Sequence, residues 1–305
     1  MPVSVLLAVA LFASCSSSSV SDLTDQDVPG KEFLVSFNVS KLNVSSEDMD
    51  QSATAKKAPH LVSRAATESQ DPKPISEVLK KIGYRITGTS NKSGSVSYDP
   101  QTESAPDDFG KLQISLLPGE HSLLFYGIGK DSQGSFTLSE SDGHNIYEGS
   151  NTELFVYQDR VTVSSSQKDF EVPLQRKSAQ IVIQITDAVP AQVAKVKYSV
   201  TVPSKYDEYN GTYKNQVTDE LYPTIANSKL QDLQYNVTLP HNAATLQIDV
   251  IGIDGSSLGS TTLSVPVYQN RRSIVSGELF SLIGDKQLSV TVDDTWGDDV
   301  TVPLK

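Results

Sequence analysis

Phe33-Leu34-Val35-Ser36-Phe37-Asn38-Val39 sets the grammar of this chain. Phe33, Val35, Phe37 and Val39 fall at every second position, and a two-residue period puts all four on one face of a β-strand. Working outward, residues 84–87, 95–98, 111–117, 122–129, 135–139, 153–157 and 170–174 are short, rich in β-branched or aromatic residues, and separated by Gly, Pro, Asn or Asp. A second series follows at 179–185, 195–202, 211–218, 234–239, 245–253, 260–268, 273–280, 287–292 and 300–304. Short strands at this spacing predict an all-β protein built from sandwiches. The apolar run 181–185 suits a central strand, and Pro203 and Pro266 are expected at strand ends or edges because proline has no N–H to donate.

One helix is expected. Ile75, Val78, Leu79 and Ile82 fall at i, i+3, i+4 and i+7, after Pro72 and Pro74 and before Gly83, which makes a single apolar stripe on a short helix. Residues 45–74 before it are dominated by Ala, Ser, Thr, Lys and Gln and read as a long polar loop.

With 305 residues the chain is about twice an ordinary domain, so two domains are expected, 32–176 and 177–305, meeting near 175–178. An internal echo supports two copies of one architecture. Leu117-Pro118-Gly119 before a strand ending in Gly127-Ile128-Gly129 matches Leu239-Pro240 before one ending in Gly252-Ile253-Asp254-Gly255, and Val172-Pro173 matches Val265-Pro266. The spacing between these landmarks differs, so the two copies share topology and do not form a repeat array.

A net charge of −12 would repel nucleic-acid phosphates and argues against that class of partner. A single cysteine excludes a disulfide framework. His60, His121, His144 and His241 show no metal-ligand spacing, and no nucleophile elbow, phosphate loop or dinucleotide fingerprint is present. Neither an enzyme nor a cofactor is expected.

The lone cysteine, Cys15, ends the uncharged apolar run from Val3 to Ala13 in the setting Leu11-Phe12-Ala13-Ser14-Cys15. That run is shorter than the roughly 20 residues a spanning helix needs, and it suits the core of a secretory signal. Residues 1–14 are therefore expected to be a lipoprotein signal peptide, Cys15 the site of acylation, and 15–31 a flexible spacer. The alternative is a signal cut elsewhere, with Cys15 an unpaired thiol.

Several strings together resemble the fimbrillin and fimbrial-anchor superfamily of Bacteroidetes type V pili. They are Val35-Ser36-Phe37-Asn38-Val39-Ser40, Leu116-Leu117-Pro118-Gly119-Glu120, and residues 174–183 entering the second domain. Asn270-Arg271-Arg272, Gly277-Glu278-Leu279-Phe280, and Val290-Thr291-Val292-Asp293 with Trp296 complete the set. Each is short; their order along nearly the whole mature chain carries the likeness. The resemblance implies two tandem transthyretin-like β-sandwich domains in a lipoprotein anchored to the outer membrane through Cys15. It also implies other fimbrial subunits as partners, joined by β-strand exchange in support of adhesion. In polymerising members a protease cuts after a basic residue in the loop behind the first strand. Arg64, followed by Ala65, stands where such a cut would fall; the alternative is an exposed arginine in that loop. Val300, Val302 and Leu304 alternate as a last core strand or as a donor strand. The short tail beyond Trp296 tilts the reading toward an anchor, tip or accessory subunit rather than a shaft subunit.

Two further groups each have two readings. Asp293, Asp294, Asp298 and Asp299 around Trp296 would suit calcium or be solvated turn residues, and irregular spacing argues against the metal. Tyr206, Tyr209, Tyr213 and Tyr222 could stack on sugar rings, making a glycan-binding lipoprotein the rival function, or form cross-strand pairs in a hairpin.

Overall fold

A computed structural model of the chain describes residues 30–39, 42–43, 74–282 and 289–293. In chain order the first eleven strands are β1 (Phe33–Asn38), β2 (Leu42–Asn43), β3 (Leu79–Gly88), β4 (Lys92–Ser97), β5 (Lys111–Leu116), β6 (Gly119–Gly129), β7 (Ser135–Ser141), β8 (His144–Ser150), β9 (Leu154–Val163), β10 (Asp169–Glu171) and β11 (Leu174–Arg176). The other ten are β12 (Ala179–Ile185), β13 (Val193–Asp207), β14 (Thr212–Leu221), β15 (Ile225–Ala226), β16 (Lys229–Leu230), β17 (Leu233–Val237), β18 (Ala243–Gly252), β19 (Ser257–Pro266), β20 (Arg272–Gly277) and β21 (Ser289–Asp293). A four-residue helix, α1 (Ile75–Val78), and a 3-10 turn at Phe280–Leu282 complete the described elements. The fold is all-β, as the alternation predicted.

β1 lies in the middle of its sheet, antiparallel to β5 and parallel to β10. Its odd-numbered residues Phe33, Val35 and Phe37, with Val39 just beyond, are at most 3% exposed, whereas Leu34 on the other face is open to solvent. They pack across a core onto the six-stranded sheet β2-β11-β9-β6-β3-β4, where Phe37 meets Phe125 at 5.1 Å between ring centres. A second core lies between the β17-β12-β20-β21 sheet and the sheet around β13 and β18, with Tyr198, Tyr235 and Ile181 fully buried. The run 181–185 is central, as expected, between β17 and β20.

Pairing order repeats between the two cores. β1 has an antiparallel neighbour in β5 and a parallel one in β10; β12 has the same in β17 and β20. β6 lies between β3 and β9, and β18 between β13 and β19. Leu117-Pro118 and Leu239-Pro240 precede β6 and β18, so that echo marks equivalent turns. The other echo does not: Val172-Pro173 follows β10, while Val265-Pro266 closes β19, the counterpart of β9.

The first arrangement contains one addition. Between β6 and β9 the chain makes the hairpin β7–β8, where the second has only the turn from Gly252 to Ser256. β8 leaves its own half and pairs antiparallel with the end of β13, setting Glu148 opposite Lys205, Tyr147 opposite Tyr206 and Ile146 opposite Asp207. The hairpin covers the outer face of β6, so Leu124, Tyr126 and Ile128 are buried on one side of that strand and Leu123 and Phe125 on the other.

Two local expectations are corrected. α1 ends at Val78, and Leu79 opens β3 instead of continuing a helix. A bulge at Lys80 breaks the register against β6, where Leu79 faces Gly129 and Lys81 faces Ile128. The extra residue puts Leu79 and Ile82 in the same core and so imitates a helical i, i+3 spacing. Gly83 is a strand residue, needed because a Cβ there would run into the Tyr126 ring. Pro203 lies inside β13, not at its end: on one edge β18 pairs as far as Thr201 and β8 begins at Lys205, so the proline occupies the gap between two partners. Pro266 ends β19, as expected.

Candidate functional site

Two places bear on function: the bed of β1 and the junction beside β8. In the first, β1 sets Phe33 opposite Leu116 and Phe37 opposite Leu112 on β5, and Phe37 opposite Phe170 on β10. Further bonds join Ser36 N–H to the Lys168 carbonyl at 2.8 Å and Val172 N–H to the Asn38 carbonyl at 2.9 Å. Asn38 Nδ2 donates to Glu171 Oε1 at 3.0 Å. Burial of two Phe and two Val side chains gives roughly 6–12 kcal/mol of gross apolar stabilisation, an upper figure because the unfolded chain also buries surface. Removing the strand would uncover those apolar pockets and two rows of amides and carbonyls together. Only residues 39–74, with β2 among them, connect it to α1 and β3.

Arg64 and Ala65, the expected processing site, and Cys15, the expected acylation site, lie outside the described residues, as do Asp294, Trp296, Asp298, Asp299 and the alternating 300–304 tail. Asp293 closes β21.

The junction is built where β8, β9 and β13 meet the segment entering β12. Tyr206 and Tyr213 face one another across β13 and β14 with ring centres 4.7 Å apart, and Tyr147 faces Tyr206 across β8 and β13 at 6.0 Å. Tyr213 also stacks on His241 at 4.2 Å. Tyr209 is set apart on the turn, exposed and stacked on His144 at 4.0 Å. Tyr222 is not in this group; it donates to Glu220 at 3.1 Å and lies under Lys195. Tyr206 and Tyr213 thus form the cross-strand pair, and the four tyrosines do not converge.

Tyr147, Tyr206 and Tyr213 line a cleft of about 250 Å³ together with Gln158, Lys177 and Glu208. Glu208 accepts from Gln158 Nε2 at 2.6 Å on one oxygen and from Asn145 Nδ2 at 2.6 Å on the other. Gln158 Nε2 also donates to the Tyr147 hydroxyl at 3.1 Å. Burial raises the Tyr147 phenol well above its ordinary value, with the Glu208 charge adding to the shift. Burial lowers the pKa of Lys177, and Glu208 partly offsets that.

Beside the cleft the two halves are bolted together. Arg176 is 9% exposed; its Nε donates to Glu153 Oε1 at 2.9 Å and its guanidinium lies over Phe155. Burial lowers the pKa of Arg176 and raises that of Glu153, while each partner's charge opposes the other's shift. Thr152 N–H donates to Thr238 Oγ1 at 3.0 Å, Leu154 N–H to Ser178 Oγ at 3.1 Å, and Asn236 N–H to Asn151 Oδ1 at 3.1 Å.

No family model and no curated protein matches this chain. Solved structures do. One is a Bacteroides thetaiotaomicron protein proposed as an adhesin, at 9% identity and TM-score 0.48, covering 88% of this chain and 97% of that one. The fimbrial anchor protein Mfa2 from Porphyromonas gingivalis matches at 10% identity and TM-score 0.43, covering 86% and 98%. A Bacteroides thetaiotaomicron protein proposed to bind polysaccharide matches at 8% identity and TM-score 0.42, covering 66% and 84%. The chain is similar to fimbrial-anchor and adhesin-like structures.

Sequence patterns missed Tyr147, Gln158, Lys177 and Glu208. Tyr147 reaches Tyr206 only because a hairpin from the first half pairs with a strand of the second. No local spacing signals such an encounter between residues far apart in the chain.

Proposed function

We propose that this protein is a non-enzymatic, surface-exposed lipoprotein of the outer membrane that serves as an anchor, tip or accessory subunit of an adhesive fimbria and joins its neighbours by β-strand exchange. Acylation at Cys15 would tether the uncut chain through the segment that carries β1; a cut after Arg64 is the alternative fate, in which β1 and the acylated segment would part from the body together. The observation that supports this reading is the place of β1: a buried, central strand whose only covalent path onward is residues 39–74. An extended segment from another subunit entering the vacated bed would restore both the main-chain ladder and the filling of alternate apolar pockets.

The test is to cut the purified chain with an arginine-specific protease and follow its mass. Cleavage after Arg64 should release the segment carrying β1 and yield oligomers, whereas Arg64→Ala should stay uncut at this point and monomeric. Cut material that keeps β1 and stays monomeric would remove strand exchange. N-terminal mass spectrometry of the native protein separates the two fates: a chain that begins at an acylated Cys15 keeps the tether, one that begins at Ala65 has been cut and has lost it, and any other start sinks both.

A further inference from the structure

We propose that the cleft beside β8 binds a pyranose ring bearing a carboxylate, a hexuronate residue of an acidic glycan, with Lys177 as the carboxylate's partner. This inference does not rest on strand exchange.

The described cations on structured surfaces mostly have partners: Lys92 pairs with Glu32, Lys197 with Glu220 and Asp249, Lys214 with Asp207, and Arg176 with Glu153. Lys177 differs. It is partly withdrawn from water, yet its ammonium makes no hydrogen bond or ion pair with a described residue. Glu208, the acid sharing the cleft, turns its oxygens to the amides of Asn145 and Gln158 and makes no direct bond with Lys177, on which it acts only through its charge. A desolvated cation without a direct partner favours an incoming anion, since a charge-assisted bond would replace hydration already lost.

The rest of the lining selects the body that carries the anion. Tyrosine rings offer apolar surface with hydroxyls at their edges, as a pyranose does with its C–H faces and hydroxyl rim. Gln158 adds an amide oxygen that can accept, its two Nε2 hydrogens being taken by Glu208 and Tyr147, and Gln269 adds an amide with one hydrogen engaged by the Arg176 carbonyl. A volume of about 250 Å³ is room enough for one sugar ring. Gln158 also borders a second, open depression that contains Arg160, whose guanidinium is likewise unpaired among the described residues. A further acidic unit of the same chain would meet a cation there.

The probes are methyl glucuronide and methyl glucoside, titrated calorimetrically into the full protein. The glucuronide should bind about tenfold tighter or more, the scale of one charge-assisted bond. Lys177→Met should bring it down to the glucoside's level, and added salt should weaken the glucuronide alone. Because Tyr206→Ala also disturbs packing, Lys177→Met with an unchanged melting temperature is the deciding variant. Equal affinity for the two sugars, glucuronide binding untouched by Lys177→Met, or no binding by folded protein would each overturn the proposal. So would binding of acetyl-tyrosyl-alanine, a peptide carboxylate, where the glucuronide does not bind.

Discussion

β1 and β12 occupy the same place in their two halves, each between an antiparallel and a parallel neighbour, but they are held by different means. β12 follows β11 after two residues, and that approach is pinned by the Arg176–Glu153 pair and by Ser178. β1 leads instead into residues 39–74, whose one described element is β2. Equal burial therefore does not mean equal permanence. Under the proposed function, one cut between residues 39 and 74 would leave β1 held to the rest of its half by non-covalent contacts alone, whereas β12 stays continuous with β11.

The largest expected effect comes from truncating the strands themselves. Phe37→Ala should cost about 3–5 kcal/mol and Ile181→Ala about 2–5 kcal/mol, read from urea midpoints of the intact chain. After a cut at Arg64 the two should part: Phe37→Ala should speed release of the β1 segment, and Ile181→Ala should lower stability without releasing anything. Equal release rates for both variants would erase the distinction. Next comes the pin beside β12. Arg176→Ala leaves Glu153 largely buried without its partner and should cost about 3 kcal/mol, with the Arg176→Ala, Glu153→Ala double variant costing less than the sum. A strictly additive double variant would show that the pair does not act as a unit.

The smallest effect separates the two equivalent hairpins by pH. Asp207, at the end of β13, accepts from Asn210 Nδ2 at 2.7 Å and from Lys214 Nζ at 3.0 Å. These bonds hold its pKa down to about 2, below the ordinary 3.8. A depressed folded value means that the contribution is complete above the ordinary pKa and is lost as pH falls toward 2. The matching turn after β3 is capped by a neutral group, Asn91 Oδ1 accepting from Gly88 N–H. Melting temperatures measured from pH 6 to pH 2 should show Asp207→Asn below the natural protein at pH 6 and converging with it at the acid end. Parallel curves would assign the acid sensitivity elsewhere.

Most of this architecture was legible because side-chain alternation reports directly which face of a strand is buried. Phe33 to Val39 was readable for that reason, and 181–185 because an unbroken apolar run suits a strand buried on both faces. Legibility failed where a strand departs from strict alternation or a partner comes from far away. The bulge at Lys80 gave Leu79 and Ile82 a helical spacing, and Pro203 sits in an interior gap that exists only because β18 and β8 share one edge of β13. At the junction, Tyr206 and Tyr213 were visible as neighbours across one turn. Tyr147 and Lys177 were not, since each arrives from a separate element with no mark of its destination.

The pairing of β8 with β13 also has a mechanical meaning. Two bodies joined by one peptide crossing can swivel about it, but a second attachment some distance away removes that freedom. Here the crossing at 176–179 and the three-residue ladder from Glu148 to Ile146 act as two rivets. Tension across the junction would be shared among them and the bonds of Thr152 with Thr238 and Asn236 with Asn151, so shortening the β7–β8 hairpin should leave each sandwich intact while loosening the hold of one half on the other.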